Sequence, residues 1–406
     1  MDSSDITLEA VSSVSQIAAA DWDACANPTG FSNCEAGSEE DLRAAYNPFV
    51  SHAFFSALEA SGSASVRTGW APRHLLARRD GIIAGIVPCY LKSHSQGEYV
   101  FDRGWAEAYE HAGGRYYPKL QASVPFTPAT GPRLLLRNDV DQEEIRDVLA
   151  SGLIAVCQAT DASSVHVTFA REDEWKLLAS RGFLQRTDQQ FHWRNQNYRS
   201  FDDFLATLNS RHRKAIKRER REAVANGITI HALNGREITE EAWDSFFAFY
   251  METGSRKWGR PYLTRSFFAL IGETMAKDVL LVMARRNERW IAGAINFIGS
   301  DTLFGRNWGA IEHHPFLHFE VCYYQAIEFA IARGLKTVEA GAQGEHKIAR
   351  GYLPQTTYSA HFIADPGLRQ AVGEYLKRER AYVADMAREL TEAGPFRKAD
   401  DDATDD

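Results

Sequence analysis

The sequence predicts an α/β (α+β) protein of two tandem domains, each a mixed β-sheet flanked by helices. Three observations predict it. An apolar hairpin occurs twice, half a chain apart: Leu75-Leu-Ala-Arg-Arg-Asp-Gly-Ile-Ile-Ala-Gly-Ile-Val87 and Val282-Met-Ala-Arg-Arg-Asn-Glu-Arg-Trp-Ile-Ala-Gly-Ala-Ile295, the second with one residue added in the turn. Around both copies, segments of period-2 alternation are interspersed with segments of helical spacing. The 406 residues, 44% hydrophobic and 25% charged, have ordinary globular composition and enough length for two packed cores. A repeat this long signals duplication rather than a solenoid. Downstream, Arg103-Gly-Trp105, Glu110-His111 and Tyr116-Tyr117 are answered in the same order by Arg306-Asn-Trp308, Glu312-His313 and Tyr323-Tyr324.

In chain order, Ile6 to Ala10 reads as a strand and Cys25 to Leu42, rich in Asn, Pro, Gly and Ser, as a loop. Phe49 to Ser61 has Phe54, Phe55 and Leu58 at helical spacing. After the first hairpin, Asp102 to Gly131 carries Trp105, Tyr109, Tyr116, Tyr117, Lys119 and Phe126 among prolines. Such a segment suits either a ligand-lining wall or an aromatic core under a stiffened loop. Glu143 to Ala159 and Asp173 to Ser180 read as helices, and Ser164 to Phe169 and Gln190 to Arg194 as strands. The second copy begins near Tyr198, which divides the chain into 1–197, 198–395 and an acidic tail, 396–406, expected to be disordered. Its first helix, Phe201 to about Ala225, carries Arg211, Arg213, Lys214, Lys217, Arg218, Arg220 and Arg221. That run suits attraction of a polyanion such as tRNA or a solvated face paired with Glu219 and Glu222. Helices over Glu240 to Thr253 and Thr264 to Ala276 follow, then strands from Val279 to Trp308.

The net charge of −8 includes five aspartates in the tail; without them the body stands at −3. No apolar run is long enough to span a membrane, and the start Met1-Asp-Ser-Ser-Asp5 lacks a signal peptide's basic and apolar regions, so a cytoplasmic location is expected. Cys25, Cys34, Cys89, Cys157 and Cys322 show no metal-ligand spacing, and the adjacent pair His313-His314 cannot easily hold one ion, so no metal is expected.

The densest chemistry lies in Glu339-Ala-Gly-Ala-Gln-Gly-Glu-His-Lys-Ile-Ala-Arg-Gly-Tyr352. Phe319 to Arg333 reads as a helix capped by Gly334, and Leu335 to Val338 as the strand that delivers this loop. Three glycines let the backbone turn or approach a ligand, while Glu345, His346, Lys347 and Arg350 can move protons or hold anions. A glycine-rich turn with a solvated charge cluster has the same letters.

The motifs Asn47-Pro-Phe49, Val87-Pro-Cys-Tyr-Leu-Lys92, Tyr116-Tyr117-Pro-Lys119, Val124-Pro-Phe-Thr-Pro128, Ser210-Arg-His-Arg-Lys214, Gly305-Arg-Asn-Trp308, His318-Phe-Glu320 and Gly341-Ala-Gln-Gly-Glu-His-Lys347 carry a resemblance over nearly the whole of residues 45 to 390. By them the chain resembles the FemAB-like family of N-acyltransferases within the tandem acyltransferase (GNAT) superfamily. The resemblance implies two GNAT-like domains, no tightly bound cofactor, and an activated acyl donor as co-substrate: acyl-CoA, an acyl carrier or aminoacyl-tRNA. The glycine-rich pyrophosphate loop of acetyl-CoA-dependent members is missing here, which shifts the expectation towards the other donors. The expected activity is transfer of an acyl or aminoacyl group to an amine of a small molecule or peptide. Binding of a cell-wall precursor without catalysis is the alternative, and RNA association through the basic helix a third.

Amide formation needs a proton acceptor and donors for the developing oxyanion. Glu345 or His346 would take the proton and Lys347 or loop amides would hold the oxygen. Arg306 and Arg350 would clamp an anionic group, and Trp308, Tyr358 and His361 would form walls. Glu320, Gly344, Trp105, Tyr109, Tyr116, Tyr117 and Lys119 complete the expected substrate-binding set. Trp308 taken alone equally suits a core, and His361 a hydrogen-bonded strand position.

Overall fold

A computed structural model describes residues 6–28, 46–258, 261–341 and 344–397, without the side chains of 256–258 and 345. The backbone forms two compact units: Met1–Asp188 with Tyr262–Ile271 and Thr357–Val383, and Gln189–Pro261 with Gly272–Thr356 and Ala384–Asp406. Two segments from beyond residue 198 thus belong to the first unit, so the compact units and the sequence copies are different divisions of the chain. Most of the expected loop Cys25 to Leu42 and of the acidic tail lies outside the described residues. Of that tail, Phe396 forms an isolated bridge with Leu208.

The first unit holds β1 (Ile6–Val11), β2 (Trp70–Pro72), β3 (His74–Arg79), β4 (Ile82–Val87), β5 (Cys89–Lys92), β6 (Lys119–Ala122), β7 (Leu135–Leu136) and β8 (Ser164–Ala170). The order β1-β3-β4-β7 makes one sheet, while β8, β6, β5 and β2 are neighbours in a second, with β6 parallel to β8. Helix Gln142–Ala159 starts at Asp141, whose carboxylate accepts from the amides of Glu143 and Glu144. It buries Ile145, Leu149 and Leu153, one helical turn apart, in a core with Leu75, Val87, Leu120, Val165 and Val167.

The second unit takes residues from 189 onward of β9 (Leu184–Arg194), then β10 (Thr229–Asn234), β11 (Val279–Arg286), β12 (Arg289–Ile298), β13 (Thr302–Ala310) and β14 (Thr337–Glu339). Their order is β10-β11-β12-β13-β14-β9, with only the β13–β14 pair parallel among them. The single helix expected from Phe201 is two, Phe201–Ala206 and Ser210–Ala223. Asn209 starts the second by accepting the His212 amide at 3.1 Å, a local bond that competes with helix continuation.

Both copies of the repeated motif fold as antiparallel hairpins, and they match more closely than their letters do. Each turn has two residues, Asp80-Gly81 (φ 52° and 81°) and Asn287-Glu288 (φ 48° and 59°). Paired positive φ angles are the signature of the tight turn whose twist suits a hairpin. The register slips in both copies, after Ala77 and after Ala284. The extra residue expected in the second turn is therefore not there, and a gap-free superposition pairs Ala84-Gly85 with Ile291-Ala292. Beyond the hairpins the letter matches fail: Arg103-Gly-Trp105 opens helix Arg103–His111, whereas Arg306-Asn-Trp308 lies in β13.

Candidate functional site

β14 pairs Thr337, Val338 and Glu339 with Thr302, Leu303 and Phe304 of β13 and ends there, while β13 runs on to Ala310. Gly305, Arg306, Asn307 and Trp308 therefore have no β14 residue beside them. They line a cavity of about 70 Å³ that His318, Cys322, Tyr323, Asn296, Ala294 and Ala340 complete. Its size suits a reacting group rather than a whole donor. Arg306 donates to Glu339 Oε2 at 3.2 Å, and the β9–β14 register sets His192 opposite Glu339, its Nε2 3.6 Å from Oε1. Burial, with Arg194, Arg306 and Lys347 nearby, lowers His192 to about 3, so its ring is neutral.

The helix after the cavity is α-helical at Leu317–Phe319 and Gln325–Ala332 but widens into a π turn over Glu320–Tyr324. Wide turns of this kind are rare and recur at functional sites. This one carries Cys322 and Tyr323 to the cavity, and the Tyr323 hydroxyl lies 3.0 Å from His346 Nε2. Trp308 meets the His318 ring edge-on, centroids 5.2 Å apart.

Beyond β14, residues 342 and 343 lie outside the described set, and Gly344 (φ 105°) enters a 3-10 turn, Glu345–Arg350. At φ 105° the Gly344 backbone has a conformation that side-chain-bearing residues rarely adopt, so the position needs glycine. His346 is exposed, but Lys347 is buried, its Nζ donating to the carbonyls of Ala340 at 2.5 Å and Gly341 at 3.1 Å. Burial lowers its amine to about 8. Arg350 is buried, bonded to Glu219 and stacked 3.4 Å over Phe319. Glu320 is buried and held by Arg220.

The remaining expected residues lie in the first unit. Lys119, fully buried, donates to Glu98 at 2.6 Å, to Ser95 at 2.8 Å and to Asp102. Tyr116 donates to Asp102 at 2.8 Å, and the Nδ1 atoms of His166 and His361 share a hydrogen bond of 2.8 Å. Burial lowers the Lys119 amine, but Glu98 and Asp102 outweigh it and leave the net shift upward. Burial lowers His166 to about 3, with Lys119 adding to it. Lys92, over the Trp70 ring at 3.6 Å, is lowered to about 7, chiefly by burial. Trp105 packs edge-on against His361 and also lines an apolar groove of about 330 Å³ with Phe101, Leu368 and Tyr375. Tyr117 bonds Ser95 at 2.8 Å, Tyr109 packs on the small cluster around Trp105, and Tyr358 lies against Trp175.

Of the two alternatives for Asp102 to Gly131, Trp105, Tyr116 and Lys119 fit the core. Glu339, His192, Cys322 and Tyr323 were not among the expected site residues. Glu339 stands at the head of the loop sequence and was open to discovery; the other three reach the site through strand register and the π turn, which no local pattern announces.

The basic run does not form one free face. Arg220 turns inward to Glu320 and Glu328, and Arg213 donates to the Leu208 carbonyl. Arg211, Lys214, Arg218 and Arg221, spaced by three and four residues, are exposed along one side, and Lys217, also exposed, pairs with Asp202 at 3.3 Å. Among the described residues no helix is long and apolar enough to cross a membrane, and no cluster of metal-ligating side chains occurs.

The model of the FemAB-like family, described as peptidoglycan biosynthesis/recognition, matches residues 13–398. No curated protein matches the chain. Among solved structures, a conserved protein of unknown function from Bacteroides thetaiotaomicron VPI-5482 is 11% identical, with a TM-score of 0.50 over 88% of this chain and 100% of that one. FemX is 13% identical, with a TM-score of 0.49 over 78% of this chain and 93% of that one. A tandem GNAT protein from the clavulanic acid biosynthesis pathway is 11% identical, with a TM-score of 0.44 over 89% and 99%. At such identities the likeness concerns the fold.

Proposed function

Because this chain belongs to the FemAB-like family, we propose that it is a Fem-type transferase that moves an acyl or aminoacyl group from an activated donor to an amine. The observation that carries the proposal is the small cavity at the open edge of β13, lined by Tyr323 and Ala340, with His346 at 3.0 Å from the Tyr323 hydroxyl and buried Lys347 bonded to the Ala340 carbonyl. His346, its Nε2 3.0 Å from the Tyr323 hydroxyl, is the group that takes the amine's proton. Two Lys347 protons are engaged by Ala340 and Gly341, leaving the third for the oxygen on which negative charge develops. The new C–N bond forms as the donor's C–O or C–S bond breaks, and the departing oxygen or sulfur receives the proton.

An ester-linked donor on tRNA is favoured over a small coenzyme by the exposed row Arg211, Lys214, Arg218 and Arg221. The acceptor class is a cell-wall precursor or peptide with a free amine, in keeping with the family's description. A cytoplasmic location belongs to the same proposal, since such donors are made there. The test is mass spectrometry of amine-bearing precursors incubated with aminoacyl-tRNA, acyl carriers or acyl-CoA. Acyl-group gain that requires the protein supports transfer; a thermal shift by the precursor without turnover on any donor supports a binder and overturns it.

A further inference from the structure

The helix Ser210–Ala223 faces two ways, and its inward residues hold the reactive turn. Glu219 accepts Arg350 Nη2 on both carboxylate oxygens, at 2.9 and 2.8 Å, and accepts the Tyr324 hydroxyl. Arg350 in turn donates through Nη1 to the His346 carbonyl at 2.6 Å. One carboxylate thus fixes a guanidinium, and that guanidinium fixes the peptide between His346 and Lys347. The next residue does the same for the π turn: Arg220 binds Glu320 at 3.0 and 2.9 Å and Glu328 at 2.8 and 2.9 Å. Glu219, Arg350 and Glu320 are buried, where charged groups are costly unless paired. A short turn could be tied down by apolar packing at lower cost, so buried charges at this place suit a demand for one exact geometry.

We infer that Glu219 is a positioning residue, which through Arg350 holds the His346–Lys347 turn in its working geometry and ties that turn to the helix whose outer face is basic. Its kinetic part rests on the transferase reading above; its structural part does not. Glu219 touches no reacting atom. It acts through Arg350, and with the neighbouring outward residues Arg218 and Arg221 it makes one rigid element serve both surfaces.

The experiment compares wild type with Glu219→Gln, Glu219→Ala and Arg350→Lys by local backbone hydrogen exchange and steady-state kinetics. Exchange in the segment from Gly344 to Gly351 is expected to accelerate at least about 10-fold in all three variants, with the first unit's amides unchanged. Turnover is expected to fall about 100-fold while donor KM stays within about 2-fold, since a misplaced catalytic group loses rate rather than ground-state binding. Glu219→Gln, which keeps size and shape, guards against a simple folding defect in Glu219→Ala. Unchanged exchange in the turn, or acceleration spread evenly over the chain, overturns the inference. A wild type without turnover on any donor overturns the proposed reaction instead, and exchange alone then decides on Glu219.

Discussion

The amine of Lys347 rests 2.5 Å from the carbonyl oxygen of Ala340. That contact ties the 3-10 turn to the residue that follows β14, and it places a cation beside the cavity wall without a carboxylate to neutralise it in the described hydrogen bonds. Burial then makes the charged form costly, which is why the amine titrates near 8.

Turnover should fall as pH rises through about 8, because the charged amine is the form that can hold an oxyanion. Lys347→Met should lower turnover about 100-fold or more and erase that limb. Stability should move the other way. An unfolded lysine titrates at about 10.4, so between that value and the folded value of about 8 the unfolded chain binds more protons, and stability should climb with pH across that window. Urea melts of wild type and Lys347→Met from neutral pH to pH 10 would show the slope in the first and a shallower one in the second. Turnover flat across pH 8 would remove Lys347 from the reaction.

Tyr323 and His346 should behave as one unit. Tyr323→Phe and His346→Ala are each expected to reduce turnover, and the double variant should lose less than the two combined, with a coupling of about 1 kcal/mol. Strict additivity in a double-mutant cycle would mean that the 3.0 Å contact does no work in the reaction.

Lys119→Met should destabilise the first unit by about 3–5 kcal/mol, because Glu98 and Asp102 lose the ammonium they share inside the protein. Adding Glu98→Gln and Asp102→Asn to it should recover part of the loss. Denaturant titration decides, and a loss below about 1 kcal/mol would show that water reaches the cluster.

Reversing Arg211, Lys214, Arg218 and Arg221 to Glu should weaken tRNA binding and flatten its salt dependence, with little change in melting temperature, since these side chains are exposed. Arg220→Glu should instead unfold or loosen the second unit, because it would set a third carboxylate against Glu320 and Glu328. Equal tRNA affinity and equal salt slope in the fourfold variant would eliminate the helix as a nucleic-acid surface.

Much of the fold was legible because it is written locally. Helix Gln142–Ala159 and the hairpins carry their periodicity and turn chemistry in consecutive residues. The loop from Glu339 onward was equally plain, since glycines and titratable side chains crowd into it. What stayed hidden depends on partners distant in sequence. That Arg220 faces inward follows from Glu320 and Glu328, a hundred residues away, while the letters alone placed it in one run with the other six cations. His192 joins Glu339 only through the β9–β14 register. The matches of Arg103 and Trp105 to Arg306 and Trp308 misled because letters in the same order took a helix in one place and a strand in the other.

The π turn at Glu320–Tyr324 makes two contacts depend on one residue. Such a turn holds one residue more than a regular α-helical turn would. Excising one residue there would restore the ordinary pitch and swing one flank by about 100° against the other. Glu320 and Tyr323 could not then both keep their present neighbours, Arg220 and His346. The anchoring of this helix and the furnishing of the cavity therefore depend on the same added residue, and deleting it should cost both.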